Sequence, residues 1–372
     1  MAKTSDRWHG NVFRLPRPIV KLFSGDFCVG VTIKDVAKAS GVSITTVSRV
    51  VNGTGYVKES TRRRVLEAIS ALGYSPNHLA RSLSTGRTRT VAAIFPDISN
   101  PFFPAIARGI DDVLASSGYL LIICNTDNDQ SQEEVLVQGL LEKRVDGIVF
   151  VTGSPDSGAL VKRASQEVPV CLIDREVEGV ECDTVTCDNS KGAYEMTRHL
   201  IEGGHRRIAF ISGPPRLSTS QKRLMGFRKC LEDAGIGEPA QVYYGDFRYE
   251  TGYSIAREIL ASDWGATAIF AANDLMALGA ERCLMDAGVL VPARMAVAGY
   301  DDILMASLAR PSLTTVAQPA YRMGAVAAEI LLQRIGSRES TGKGYAAPPA
   351  RLEVLEPSLV VRESTVGGRL VP

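Results

Sequence analysis

From Thr90 onward, short apolar runs alternate with longer amphipathic stretches, and this alternation leaves few folds open. Strands are expected at 91–95 (VAAIF), 119–124 (YLLIIC), 147–151 (GIVFV), 169–173 (PVCLI) and 184–187, with helices near 103–117, 130–143 and 156–167. A second set follows, with strands at 207–212, 241–244, 267–271 and 295–299. Its helices are expected near 190–202, 218–234, 251–261 and 275–287. Adjacent parallel strands need a crossover connection, and a helix supplies it, so this order predicts parallel sheets covered by helices. Ligands in such sheets bind beyond the carboxyl ends of the strands. The loops at those ends are polar: Asp97, Asn100, Phe102 and Phe103; Asn125 and Asp127; Asp174-Arg175; Arg223; Asp246-Phe247; Asn273-Asp274; Asp301-Asp302; and Gln318.

The stretch before Thr90 follows a different rule. Residues 31–56 read as two short helices around a Gly41-Val42-Ser43 turn. Thr32 begins the first helix with Asp35 three residues on, the spacing of a capping box. Ile33, Val36 and Ala37 share one face. Ser43 caps a second helix, 44–51, which buries Val47 and Val50 and turns Thr45, Thr46, Ser48, Arg49 and Asn52 outward. Such a polar face suits a DNA major groove, where Arg bonds guanine bidentately, and it equally suits plain solvation. A third helix, about 59–72, is expected to bury Val65, Leu66, Ile69 and Leu72 and to stop at Gly73. A short helix after Pro76 is expected to begin at Asn77 and to place Leu79 and Leu83 on one face. The run Ser84–Arg89 then reads as an interdomain hinge.

Charge supports this partition. The whole chain carries a formal net charge of only +1, yet residues 30–90 carry +7, residues 1–29 carry +3 and the rest carries −9. A basic head on an acidic body is the electrostatic footprint of nucleic-acid binding.

TIKDVAKASGVSITTVSRVVNG, followed by YSPNHLARSL, resembles the LacI/GalR (lactose-repressor) family of bacterial transcription regulators, and the likeness runs to about residue 365. The resemblance implies a small all-α helix-turn-helix head joined to an α/β body of two doubly wound lobes, like the periplasmic sugar-binding proteins. It implies a homodimer on palindromic operator DNA, with recognition helices in successive major grooves and Leu83 wedged into the minor groove. Candidate DNA contacts are Thr32, Ser43, Ile44, Thr45, Thr46, Arg49, Asn52, Asn77, Ala80 and Leu83. NPFF, IDR, the Arg before LMGF, GDF, AAND and GYDD match family positions that line an effector pocket. The effector candidates are therefore Asn100, Phe102, Phe103, Asn125, Asp174, Arg175, Arg223, Phe247, Asn273, Asp301 and Gln318. Asp, Asn, Arg and Gln offer paired hydrogen bonds to vicinal hydroxyls, and Phe covers the apolar face of a sugar ring. Asp274 and Asp302 are expected to cap the helices after them, with Asp246 and Pro101 in turns.

The expected organisation is an N-terminal extension (1–29), a DNA-binding domain (30–76), a hinge (77–89), a body (90–365) and a tail (366–372). Lobe one takes 90–188 and 319–349; lobe two takes 189–318 and 350–365. The extension reads as a disordered basic arm or as sequence upstream of a true start near Val29 or Val31. Seven cysteines without CxxC spacing read as reduced thiols of a cytoplasmic protein, and no metal is expected. No apolar run reaches the roughly 18 residues a membrane span requires. His205, behind Gly203-Gly204, is placed where a cation suits a helix end. The chain carries no P-loop, no GxGxxG after the first strand and no GxSxG, so an enzyme is not expected. A transporter's solute-binding protein has no such head. The function expected is a repressor of sugar-utilisation genes with a small-molecule effector and no cofactor. A purine- or nucleoside-dependent regulator is the alternative, and a sugar acid or sugar phosphate stays open as effector. The tail after Val361 lacks leucine heptads, so a four-chain bundle is not expected.

Overall fold

A computed structural model of the chain describes residues 31–74, 87–151, 155–237, 240–341 and 348–366. These residues fall into two compact units, the head and the body.

The head is three helices, α1 (Ile33–Ser40), α2 (Ile44–Asn52) and α3 (Glu59–Leu72). Asp35 reaches back to the start of α1, accepting from Thr32 N at 2.9 Å and from its hydroxyl at 2.7 Å. Gly41 turns the chain at φ 65°, a left-handed backbone that costs glycine little. Ser43 Oγ accepts from Thr46 N and caps α2. Val36, Ala37, Val47, Val50, Val65 and Ala68 form the core. One expectation for α3 fails: Leu66 is half exposed and Leu72 also faces solvent. Val65, Ala68 and Ile69 share the face that meets the other helices, and Leu66 lies about 100° around from Val65.

The body holds two six-stranded sheets. The first comprises β1 (Thr90–Phe95), β2 (Leu120–Asn125), β3 (Gly147–Phe150), β4 (Val170–Ile173), β5 (Asp183–Cys187) and β11 (Leu352–Leu355), in the order β11-β5-β4-β3-β1-β2 and parallel throughout. The helices of this lobe are α4 (Phe102–Ser116), α5 (Gln130–Glu142), α6 (Gly158–Glu167) and α12 (Ala320–Thr341). The second sheet comprises β6 (Ile208–Ser212), β7 (Val242–Tyr244), β8 (Ala268–Ala271), β9 (Ala296–Asp301), β10 (Thr314–Ala317) and β12 (Ser358–Val360). Its order is β12-β10-β9-β8-β6-β7, with β12 alone antiparallel. The helices of this second lobe are α7 (Asn189–Glu202), α8 (Ser218–Asp233), α9 (Tyr249–Ala261), α10 (Asp274–Asp286) and α11 (Leu304–Leu308).

The chain crosses between lobes after β5 and after β10, where the sequence places both crossings. The third crossing is later than expected. Residues 352–355 pair with β5 in the first sheet, so the return comes between Leu355 and Ser358 instead of near 350. The alternation of Leu352-Glu353-Val354 is that of an edge strand, and an edge strand does not reveal which sheet it joins. The reading of the sequence also assigns no helix to 320–341. This helix is apolar on several faces, with Met323, Ala325, Val326, Ala327, Ala328, Ile330 and Leu331 all buried, and so lacks the single stripe that marks a surface helix. The segment 87–89, assigned to the hinge, is pinned to lobe one: Thr88 N and Arg89 N both donate to the Asp146 carboxylate.

Two glycines set how closely α4 and α12 pack. A Cβ on Gly109 would lie 2.0 Å from the Tyr321 carbonyl oxygen, and one on Gly324 would lie 2.1 Å from that of Ile106. Gly109→Val therefore forces two backbones apart and is expected to cost about 3 kcal/mol or more in a urea titration. Gly139→Ala, mid-helix with open space around it, is expected to gain about 1 kcal/mol. Equal behaviour of the two variants would refute the close-packing account.

Candidate functional site

Two places collect chemistry, one in each unit. In the head, α2 presents Ser43, Ile44, Thr45 and Arg49 to solvent, with Thr46 and Thr32 half-buried. Thr45 and Arg49 are four apart and so share a face. Ile44 is 45 % exposed, an apolar side chain held at the first turn with nothing in the head to cover it. Of Asn52 only the backbone is described. Asn77, Ala80 and Leu83 lie outside the described residues. Tyr56, 89 % exposed, is a second large exposed side chain of the head that the sequence reading does not single out.

In the body, loops at the carboxyl ends of the strands converge on one small cavity between the lobes. Its lining is Asn100, Phe102 and Phe103 beside β1, Asp174 and Arg175 after β4, Thr219 and Arg223 on α8, Phe247 after β7, Asn273 after β8 and Asp301 ending β9. Lobe one supplies the first five and lobe two the rest. Asn125 and Gln318, expected in this lining, stand behind it. Asn125 accepts from Ile98 N and donates to Asp127, holding the β1 loop. Gln318 donates to Asp301 Oδ1 at 2.8 Å. Thr219 is the residue missed. Its spacing of four from Arg223 on one helix is the signal that places it.

The chemistry is that of buried charge. Arg223, 3 % exposed, donates from Nε to Asn189 Oδ1 at 2.7 Å and from Nη1 to the Ala272 carbonyl, and lies 3.6 Å from Asp301. Its guanidinium stacks 3.9 Å above the ring of Tyr300, which is fully buried. Asp174 and Arg175 pair at 3.7 Å. Burial pushes the Asp174 carboxyl up against the pull of Arg175 and Arg223, and burial lowers Arg175. Burial also pushes Asp301 up to about 7, with Arg223 and the Gln318 hydrogen bond opposing it. Asp174 Oδ1, Gln318 Oε1, Ser212 Oγ and Ser220 Oγ are buried without a hydrogen-bond partner among the described residues. Asp174, Phe247 and Asp301 also hold left-handed backbones, at φ 69°, 69° and 113°. Such backbone costs about 1–3 kcal/mol per residue and collects at functional sites.

Several local assignments need correction. Asn273, and not Asp274, caps α10: its Oδ1 accepts from Met276 N at 3.1 Å while its Nδ2 donates to the Phe247 carbonyl. Asp274 is fully buried and accepts from Ile303 N and from Thr315 Oγ1, so it braces the loop that follows Asp301. Asp302 pairs with Arg362 and caps nothing. A carboxylate directly before a helix is ambiguous in sequence, because a neighbouring Asn competes for the cap. His205 meets Thr267 and burial lowers its pKa, so it is not the helix-end cation.

Residues 32–77 match the model for bacterial regulatory proteins of the lacI family, and residues 197–365 match a periplasmic binding protein-like domain. Over 338 residues the chain is 39 % identical to the HTH-type transcriptional regulator DegA of Bacillus subtilis, covering 90 % of this chain and 98 % of that one. The chain belongs to the LacI family. Among solved structures it is similar to the lac repressor dimer bound to operator and an anti-inducer, with 28 % identity, a TM-score of 0.80 and coverage of 91 % of this chain and 99 % of that one. It is also similar to a LacI family regulator from Enterococcus faecium with bound ribose, with 30 % identity, a TM-score of 0.65 and coverage of 75 % and 100 %. This LacI-family chain is thus a DNA-binding transcriptional repressor, and its relatives are regulators, not enzymes. Among the described residues no helix is long and apolar enough to cross a membrane.

Proposed function

We propose that the repressor's operator affinity is switched by a neutral sugar held between the lobes by Asn100, Phe102, Phe103, Asp174, Arg175, Arg223, Phe247, Asn273 and Asp301. Asn125 and Gln318 act behind them. The observation that carries this reading is the charge balance of the cavity. Each guanidinium already faces an acid, so no cation is left over for a phosphate or a carboxylate. In the lining, Asp174 Oδ1 is a buried acceptor that still lacks a donor among the described residues. Hydroxyl groups supply donors; anions do not. The regulator with bound ribose supports the same class of ligand. The cavity is only about 20 Å³, room for about one water, so the sugar enters when the lobes part. An effector then shifts DNA affinity only if it binds one lobe arrangement better than the other.

On the DNA side, Ile44, Thr45 and Arg49 read base edges, with Ile44 suited to a thymine methyl group. Thr32, Ser43, Thr46 and Asn52 hold phosphates. Asn77, Ala80 and Leu83 keep the hinge role that the family resemblance implies, on a palindromic site bound by a homodimer.

The deciding experiment is a thermal-shift screen of neutral sugars, sugar acids, sugar phosphates and nucleobases, followed by gel shifts on a palindromic operator. A ligand at 100 times its Kd adds about 2.7 kcal/mol of stability. Stabilisation by a sugar phosphate or a nucleobase with no response to any neutral sugar would overturn the assignment.

The pH dependence is specific. Asp301 titrates near 7 in the folded chain against 3.8 for the free side chain. The native state therefore holds an extra proton between these values. The stability contributed by this group is full below about 4 and is lost as pH rises through 7. Sugar hydroxyls donate best to the ionised carboxylate, so effector affinity is expected to strengthen from pH 6 to pH 8. Calorimetry on Asp301→Asn is expected to show weaker binding with that slope removed. A parent protein whose affinity is flat from pH 6 to 8 would separate Asp301 from the ligand.

A further inference from the structure

The two lobes meet in a charged rim beside the interlobe cavity. Lobe one supplies acids there and lobe two supplies bases. Asp156, between β3 and α6, takes both terminal nitrogens of Arg216, in the loop after β6: Nη1 donates to Oδ2 at 2.9 Å and Nη2 to Oδ1 at 2.7 Å. Glu176, after β4, accepts from Lys222 Nζ on α8 at 2.5 Å, and its backbone N donates to Ser218 Oγ at 2.9 Å. These residues are interleaved with the cavity lining. Glu176 follows Asp174-Arg175, Ser218 precedes Thr219 and Lys222 precedes Arg223. The short segments that line the cavity therefore also tie one lobe to the other.

We propose that this rim is an electrostatic latch, in which Asp156–Arg216 and Glu176–Lys222 hold the lobes shut in the ligand-free chain and set how readily the cavity opens. This rests on the reading of the cavity as the effector site. The argument is polarity and position. A cavity of about 20 Å³ admits about one water, so a sugar enters only after the lobes part, and these pairs are what must part. A lone exposed ion pair contributes little, but a bidentate Arg–carboxylate fork and a group of neighbouring pairs are the exceptions. Here the fork is exposed, the Glu176–Lys222 pair is partly buried, and both have the same sense across the cleft. Because every acid of the rim is on one lobe and every base on the other, the lobes still attract when they are a few ångströms apart. That attraction fades with salt, since the screening length falls from about 10 Å at 0.1 M to about 3 Å at 1 M.

Hydrogen exchange on the full chain, with no ligand added, tests this. The Glu176 amide is the reporter, because its hydrogen bond crosses between the lobes and breaks when they part. Amides of Ala92 and Ala93 inside β1 serve as the control for global unfolding. Raising NaCl from 0.1 M to 1 M is expected to speed exchange at Glu176 about threefold or more while the β1 amides hold steady. Lys222→Glu sets two carboxylates face to face. It is expected to speed exchange at Glu176 further and to reverse the salt response, because salt then screens a repulsion. Adding Glu176→Lys to Lys222→Glu restores the pair with its sense reversed. After correction for the intrinsic rate, this double variant is expected to return within about twofold of the parent, which a side chain that only packed would not do. Arg216→Gln, at an exposed position where folding is not at risk, is expected to speed exchange about threefold.

Exchange at Glu176 that changes less than twofold with salt and in Lys222→Glu overturns the latch. So does a double variant as fast as the single one. Unchanged exchange in Arg216→Gln removes the Asp156–Arg216 pair from it. A latch that fails these tests leaves the sugar assignment standing, and a failed sugar screen does not alter the exchange result.

Discussion

Arg223→Ala is expected to remove the effector response while leaving ligand-free operator affinity close to that of the parent. The side chain is at the centre of the body's buried polar network, bonding Asn189, Ala272 and Asp301 and stacking on Tyr300. Breaking a buried pair by removing one partner typically costs about 3–5 kcal/mol, because the survivor is left charged and unpaired. Here the survivor has an escape. Asp301 already titrates near 7, so without Arg223 it takes up a proton at neutral pH and the loss of stability falls below that range. Binding has no such escape. A neutral Asp301 accepts weakly, and the second lobe no longer offers a fixed donor to the ligand. Effector affinity is expected to fall by about 2–5 kcal/mol. The head belongs to a separate compact unit, so the substitution leaves its DNA-facing side chains in place. Gel-shift midpoints with and without effector decide the matter. A variant that still responds at the parent's effector concentration places the pocket elsewhere.

Arg49→Ala is expected to cost about 1–3 kcal/mol on the preferred operator and to relax preference at one base pair. Arg49 is exposed in the last turn of α2, on the face it shares with Thr45. It is free to present its planar fork to a guanine edge, where two parallel bonds discriminate against other bases. Ser43→Ala and Thr46→Ala are expected to weaken all sequences alike, because phosphate contacts carry no sequence information. Ser43→Ala also loses the cap of α2, at about 0.5–2 kcal/mol, so head stability is to be measured beside affinity. Selection from a randomised operator library separates the two classes. An unchanged preference matrix for Arg49→Ala removes it from base recognition.

The alternation of strands and helices, the two cap residues Thr32 and Ser43, and the basic head are all legible in the sequence, because each is a local pattern. Short continuous apolar runs become strands buried on both faces, Ser and Thr before a helix mark its start, and charge adds along a segment. Most of the cavity lining was legible for a related reason: Asn100, Asp174, Arg175, Asn273 and Asp301 all stand at strand ends, where a doubly wound sheet presents its loops.

What the sequence could not contain was set by packing between distant segments. Residues 352–355 join the first sheet because an edge there was open beside β5, and no local feature names a sheet. The helix 320–341 hides because neighbours cover several of its faces, which erases the stripe that betrays a helix. Asn273 takes the cap from Asp274 because Ile303 and Thr315, nearly thirty and forty residues onward, come to the Asp274 carboxylate first. Glu281 is buried on α10, where the start of α9 and the end of α11 border it. Local chemistry is written along the chain; which groups lose their water, and beside what, is decided only when the chain has folded.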